Sequence, residues 1–322
     1  MAPHARAAAT VPARRGVVPA REWQADVVVE AGLVRRLLGD QFDELELRSL
    51  EPLGEGWDNS VWLVDERWVF RFPRREIAVP AVARQLAILP RLAPRLPLPI
   101  PDPAFAGLPG DTFPWPFFGT PFLPGKEAAH AAPSDADRAR AARPLGEFLR
   151  ALHAPQLLEL EGIDTLPVDP IGRGDMGKRV PMARERLAEL RAHGIWEAPP
   201  EADGIVAAAA ALPPPSGRAV AHGDLHLRHL LITDDGTPSA VIDWDDLCVG
   251  DPAIDLVLYW SFLPPAARPG FLAAYPATED GLVRARLLSL FLCGALAVYG
   301  RHEGKLDLEA EAVAGLERTL AG

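Results

Sequence analysis

Three histidines and an aspartate fall within eight residues in the stretch His222-Gly223-Asp224-Leu225-His226-Leu227-Arg228-His229. Two β-prone runs follow at once, Leu230 to Thr233 and Ala240 to Trp244, separated by Asp-Asp-Gly-Thr-Pro-Ser, which is the pattern of a hairpin. A fold-back at Gly236 sets position 233 against 239 and, continuing outward, 229 against 243. Antiparallel partners sit about 5 Å apart, so the spacing predicts that His229 and Asp243 converge, with Asp224 beside them in the upstream loop. An imidazole and a carboxylate so placed can hold a hard divalent cation, with water and phosphate oxygens in its other positions. A third group, a carboxylate off the metal, can orient and deprotonate an alcohol. That division of labour is the one phosphoryl transfer requires.

The elements that must position these groups can be read along the chain. Residues from about 21 to 40 carry a helical apolar rhythm through Val28, Val29, Leu33, Val34 and Leu37. Leu45 to Leu53, Ser60 to Asp65 and Trp68 to Phe72 read as the strands of a meander, punctuated by glycines and by Asp65-Glu66-Arg67. A helix is expected from about Glu76 to Leu92, ending as prolines 94, 97, 99, 101 and 103 arrive. Trp115 to Leu123 reads as one more strand, closed by Pro124-Gly125. Ser134 can cap a helix reaching His153, with Pro144 bending it, and further helices fit 178–193, 201–212, 252–262, 280–299 and 307–320. The expected fold class is α+β. It has a tail over residues 1–20, a small β-sheet lobe over 21–118, a hinge at 119–125 and a mainly helical lobe over 126–322 that holds the catalytic loop and hairpin.

The small lobe has features suited to a phosphate ligand. Gly54 and Gly56, with Asn59 and Ser60 just beyond, lie between two expected strands. Glycine there lets backbone amides approach phosphate oxygens closely. Arg71 alternates with Phe70 and Phe72, so its side chain leaves the strand on the opposite face, into a cleft or into solvent.

The segments HGDLHLRH, VIDWDD and DPAIDL together resemble the aminoglycoside phosphotransferase family of kinase-like enzymes, whose members carry an H-G-D-x-H-x-x-N type loop followed by I-D-W or I-D-F. The resemblance covers about residues 45 to 300. It implies a protein-kinase-like two-lobed fold, ATP or GTP as phosphate donor, Mg²⁺ as cofactor, and a small hydroxylated acceptor such as an antibiotic or related metabolite. It also implies that Asp224 is the catalytic base and Asp243 a metal ligand. His229 stands where most members have Asn, a departure similar to the macrolide phosphotransferases, and remains a ligand through a neutral nitrogen. Asp255 would brace the catalytic loop, with His222 as scaffold. Arg71 takes the place of the family's phosphate-binding lysine, and as a forked donor can serve the same purpose. Its partner is open between Gln85, which stands where an acid is usual, and Glu76, the nearest acid. In the hinge, backbone groups of Thr120 and Phe122 would read the purine edge, since Pro121 has no N–H.

Composition bounds the alternatives. The 322 residues carry 44 acids against 33 bases, a formal charge of −11, which argues against nucleic-acid or anionic-membrane partners because both reward a basic face. The longest apolar run, Leu287 to Val298, is shorter than the ~20 residues a bilayer span needs. The opening MAPHARAAATVPARR has no continuous apolar stretch of the secretory kind, and Cys248 and Cys293 read as reduced and buried. A cytoplasmic protein is expected. Two rivals to the kinase reading are a metal-dependent hydrolase built on His222, His226 and His229, and a kinase-shaped binding module without catalysis. Among acceptors, the acidic balance points to an aminoglycoside, whereas His229 and the apolar hinge point to a macrolide-like molecule.

Overall fold

The computed structural model describes residues 25–55 and 58–322; the expected tail and Gly56 lie outside them. The first helix, α1 (Ala31–Gln41), precedes strands β1 (Leu50–Glu55), β2 (Asn59–Val64) and β3 (Trp68–Pro73), then helix α2 (Val79–Leu92) and strands β4 (Phe105–Gly107) and β5 (Phe117–Pro121). These strands form one antiparallel sheet in the order β1-β2-β3-β5-β4. The meander is therefore as expected, and β4, too short to show alternation, is an addition. Phe70, Phe72 and Phe117 are fully buried on one face of this sheet and pack with Phe42 of the α1 end, Phe105 and Phe113. Burying so much aromatic surface on one face fixes strand register, because a one-residue slip would turn every ring to solvent. The same alternation drives Arg71 out of the opposite face.

The second half begins with β6 (Lys126–Glu127) and the short α3 (Ala128–Ala131), then α4 (Asp135–Leu152), α5 (Met176–Ala192) and α6 (Pro200–Ala210). Ser134 caps α4 in a full capping box with Asp137, satisfying amides that a helix start leaves unpaired. Strands β7 (Ala219–Ala221), β8 (Leu230–Ile232), β9 (Pro238–Val241) and β10 (Cys248–Gly250) follow, and then α7 (Val257–Ser261), α8 (Arg268–Ala274), α9 (Glu279–His302) and α10 (Leu306–Leu320). The expected hairpin β8–β9 gains β6 as a third strand, while β7 pairs with β10. Those two-sided pairings tie the loop that carries Asp224, which runs between β7 and β8, at both ends.

Around this sits a continuous core including Phe148, Trp244, Phe262 and Phe271. Helix α9 runs for 24 residues, well past the apolar run seen in the sequence, and is long and apolar enough by composition to cross a membrane. Two thirds of that apolar stretch (67%) is buried inside the protein, as befits a helix packed within a bundle. Cys248 and Cys293 are free and buried, as expected. Burial pushes both thiols up to about 12.

Candidate active site

The loop between β7 and β8 is held from beneath by one carboxylate. Asp255, fully buried, accepts the backbone N–H of His222 (2.8 Å) and of Gly223 (2.9 Å), and its Oδ2 lies 3.1 Å from His153 Nε2. Burial opposes its ionisation, but His153, His222 and the Gly223 amide outweigh this and hold the carboxyl below its usual range. Gly223 has φ +87, and a Cβ there would stand 2.3 Å from the Asp246 carbonyl oxygen. Only glycine lets the loop pass so close. His222 is scaffold in this geometry: its Nδ1 accepts the Asp224 N–H (3.2 Å), its Nε2 donates to the Ile242 carbonyl (3.0 Å), and its ring lies against Trp244.

His229 and Asp243 converge, though not for the expected reason. The hairpin pairs Leu230 with Val241 and Leu231 with Ala240, then slips at a bulge to pair Ile232 with Pro238. The turn at Gly236 closes Thr233 onto Thr237, not onto 239, and the residue opposite His229 is Ile242, whose N–H donates to the His229 carbonyl (2.9 Å). The expected register of 229 against 243 is thus wrong by one residue. What restores the meeting is the backbone of Asp243, which leaves the strand in the left-handed region at φ +67. Aspartate tolerates that region better than most residues, and the reversal brings its Oδ2 to 3.3 Å from His229 Nε2. Asp224 lies alongside, its Oδ2 3.4 Å from His226 Nε2 and 3.8 Å from His229 Nδ1.

Protonation follows from these partners. Burial would raise the Asp224 carboxyl, but His226, His229 and Arg173 outweigh it and hold it well below the usual range. Asp243 is held down likewise against its burial, by Arg71 and His229. Burial would lower His229, yet Asp243 and Asp224 raise it to about 9. His229 Nδ1 donates to the Asp224 carbonyl (2.7 Å), which leaves Nε2, facing Asp243, as the nitrogen that can exchange its proton for a metal. His229 Nε2 and the Asp243 carboxylate therefore fit a hard divalent cation as one nitrogen and one oxygen ligand. The tighter group Asp224, His226 and His229, whose ligand atoms lie within 4.8 Å of one another, fits less well. His226 Nδ1 accepts the Arg228 N–H (3.3 Å), so its proton sits on Nε2 and is directed at Asp224. With His222 engaged at both nitrogens, the histidine cluster lacks the free imidazoles a zinc hydrolase would need.

Across the cleft, Arg71 points at this site. Its Nη2 donates to Asp243 Oδ1 (3.1 Å) and to Asp245 Oδ2 (2.9 Å). Neither Glu76 nor Gln85 is its partner: the Glu76 amide is tied to Asp26, while buried Gln85 donates to Asp245 Oδ1 (2.6 Å). Asn59 Nδ2 donates to Asp245 Oδ2 (2.9 Å), and Arg84 to the Asp245 carbonyl (3.1 Å). Asp245 is therefore the hub that fastens the sheet and α2 to the catalytic half. Among the described residues, six buried side-chain polar atoms lack a partner, and four of them are Asn59 Oδ1, Arg71 Nε, Arg84 Nε and Gln85 Oε1. All four belong to side chains that converge on Asp245, where buried polar groups left unpaired are costly.

The other expected nucleotide contacts are placed unevenly. Gly54 is exposed with open space around it. Ser60 is buried and its hydroxyl accepts the Trp62 indole N–H (2.8 Å). The Phe122 N–H donates to the Arg67 carbonyl (2.7 Å), so it is committed to the sheet and cannot read a purine. Thr120 stands opposite Val69 in the same ladder. Antiparallel alternation turns the Thr120 groups toward β3 and the Pro121 carbonyl away from it.

Two ionic groups escaped the sequence reading. One is the Asp245 hub; the other is Arg173, in the loop before α5, whose Nη2 donates to Asp224 Oδ1 (3.0 Å) and Asp246 Oδ2 (2.7 Å). The run Asp243-Trp244-Asp245-Asp246 held a signal. Three acids so close, in a partly buried segment, require cations from elsewhere.

Comparison with known proteins gives the family and the fold. A model of the phosphotransferase enzyme family matches residues 49–288. The chain belongs to that family. Its fold is the kinase-like one of solved phosphotransferases. The GDP and kanamycin complex of APH(2")-IIia superposes with a TM-score of 0.63 at 22% identity, covering 89% of this chain and 97% of that one. The apoenzyme of macrolide 2'-phosphotransferase MphH from Brachybacterium faecium gives 0.54 at 23% identity over 89% and 98%. Macrolide 2'-phosphotransferase type I gives 0.56 at 22% over 91% and 98%. A curated relative, the uncharacterized protein YcbJ of Bacillus subtilis (strain 168), is 44% identical over 45 residues, and the match spans only 15% of its length.

Proposed function

We propose that this phosphotransferase-family protein moves the γ-phosphate of ATP or GTP onto a hydroxyl of a small molecule, with Mg²⁺ as cofactor, in the cytoplasm. The observation that carries the reading is the convergence of Asp224, His229, Asp243 and Arg71 on one cleft. In that cleft Asp224, kept ionised by its cationic neighbours, is the general base. It takes the proton of the acceptor hydroxyl as that oxygen bonds to the γ-phosphorus, and the bond to the β–γ bridging oxygen breaks, leaving the nucleoside diphosphate. Arg71 and Arg84 are suited to the phosphates. His229 and Asp243 would hold a divalent cation, which neutralises charge on the β- and γ-phosphates when bound. Asp245 sets the position of Arg71, Gln85 and Asn59 around the donor, and the Pro121 carbonyl faces the base.

An antibiotic acceptor is supported by the neighbours named above, one solved with kanamycin and others named for macrolides. The test is to incubate the chain with ATP or GTP, Mg²⁺ and a panel of such compounds. A gain of about 80 Da, one HPO₃ unit, is expected on at least one hydroxylated acceptor. Nucleotide turnover that survives Asp224→Ala unchanged would reject the assignment.

A further inference from the structure

The catalytic carboxylate already has a cation beside it. Arg173, largely buried, shares one Nη2 between Asp224 and Asp246. Its position is built. Asp169 accepts the backbone N–H of Arg173 (2.6 Å) and of Gly174 (2.8 Å), and Arg179 donates to the carbonyls of Gly172 (3.1 Å) and Ile171 (2.9 Å). The Asp169 amide is in turn bonded to the Val249 carbonyl in β10 (2.9 Å). A loop fixed at so many backbone points presents Arg173 to the carboxylates without the ordering cost a surface arginine would carry. The same loop exposes two apolar side chains, Val168 at 69% and Ile171 at 50% accessible, and Met182 of α5, whose sulfur lies against Arg179, is 39% accessible.

These observations bear on the acceptor. A polycationic acceptor gains from unpaired carboxylates beside the reacting hydroxyl, whereas the base Asp224 and its neighbour Asp246 are already paired with a fixed guanidinium. Its ammonium groups would meet a like charge there, which costs affinity. Taking the phosphotransferase reading as given, we infer that Arg173 is a specificity-determining residue that excludes polycations. It selects a hydroxylated acceptor of little positive charge with an apolar face that lies on Val168, Ile171 and Met182. The overall charge of −11 therefore misdirects, since the acids that matter locally are neutralised.

The test is binding to the full chain saturated with nucleotide, followed by calorimetry. The probes are kanamycin, a polycation, and an uncharged polyhydroxylated macrolactone. R173Q and R173M should each bind kanamycin at least about tenfold tighter than the wild type at low salt, with the gain shrinking as salt is raised. R173K, which keeps the charge, should not show the gain. Equal or weaker kanamycin binding by R173Q and R173M overturns the inference. The wild type gives a second measurement that depends on no variant. It should bind the macrolactone more tightly than kanamycin, and the reverse order overturns the inference. Failure of the phosphotransfer reading itself would show separately, as nucleotide turnover indifferent to Asp224.

Discussion

Replacing Asp255 should show how far the loop that carries Asp224 depends on one fully buried charge. Its two oxygens accept the His222 and Gly223 amides at 2.8 and 2.9 Å and face His153 at 3.1 Å, with no exposure to solvent. A hydrogen bond to a charged group contributes about 1.5–3 kcal/mol, and a buried donor stripped of its partner adds its own desolvation penalty. Removing one partner of a buried pair costs about 3–5 kcal/mol, and three donors lose theirs at once. Asp255→Ala should therefore destabilise by about 3–5 kcal/mol, seen as a fall in melting temperature on the order of 5–10 °C. Asp255→Asn should recover only part of this, because its amide nitrogen must face one of the N–H donors. Both should lower turnover, since the loop that carries Asp224 hangs from these bonds. The pH dependence has a definite sign. The folded carboxyl is held below its ordinary range, so the unfolded chain takes up the proton first as pH falls. The stabilisation is full above about pH 5 and is lost progressively on acidifying below that. Thermal melts from pH 3 to 7 should show a steeper acid loss for the wild type than for Asp255→Asn. Melting temperatures for Asp255→Ala within about 2 °C of wild type at pH 7 would refute this account of the loop.

Gly223→Ala should abolish measurable turnover and lower the melting temperature, because its Cβ would lie 2.3 Å from a backbone oxygen at φ +87; full activity would place the loop elsewhere. Arg71→Gln should weaken nucleotide binding by roughly tenfold or more, read by calorimetry, with an unchanged affinity contradicting its role in the cleft. The native protein should not react with a thiol reagent on a timescale of minutes, and two thiols should titrate after unfolding, because burial holds Cys248 and Cys293 protonated.

What the sequence disclosed and what it hid have physical causes. The catalytic loop, the meander and most helices rest on local spacing, so they could be read directly, and the placement of Arg71 followed from the two-residue period between Phe70 and Phe72. The hairpin register was misjudged by one residue because a bulge and the left-handed turn of Asp243 are not encoded in β-propensity. The partner of Arg71 could not be found in its own half of the chain. Asp245 lies 174 positions away in sequence, and Gln85 serves that same acid. Arg173 is 51 residues from Asp224 in a loop with no periodicity, and only the unbalanced acids at 243, 245 and 246 hinted at it. The commitment of the Phe122 N–H to the Arg67 carbonyl is hidden for a similar reason, because pairing within a ladder depends on which residue faces Arg67.

The central claim is that Asp224 accepts the acceptor's proton while the phosphoryl group crosses. It is tested most directly by following γ-labelled ATP or GTP to a phosphorylated acceptor with the wild type and Asp224→Asn, nucleotide affinity being measured on both. Transfer should fall at least about a hundredfold in the variant, within the range a general base contributes, with nucleotide affinity nearly unchanged. Label transfer by Asp224→Asn at a rate close to the wild type would contradict the account.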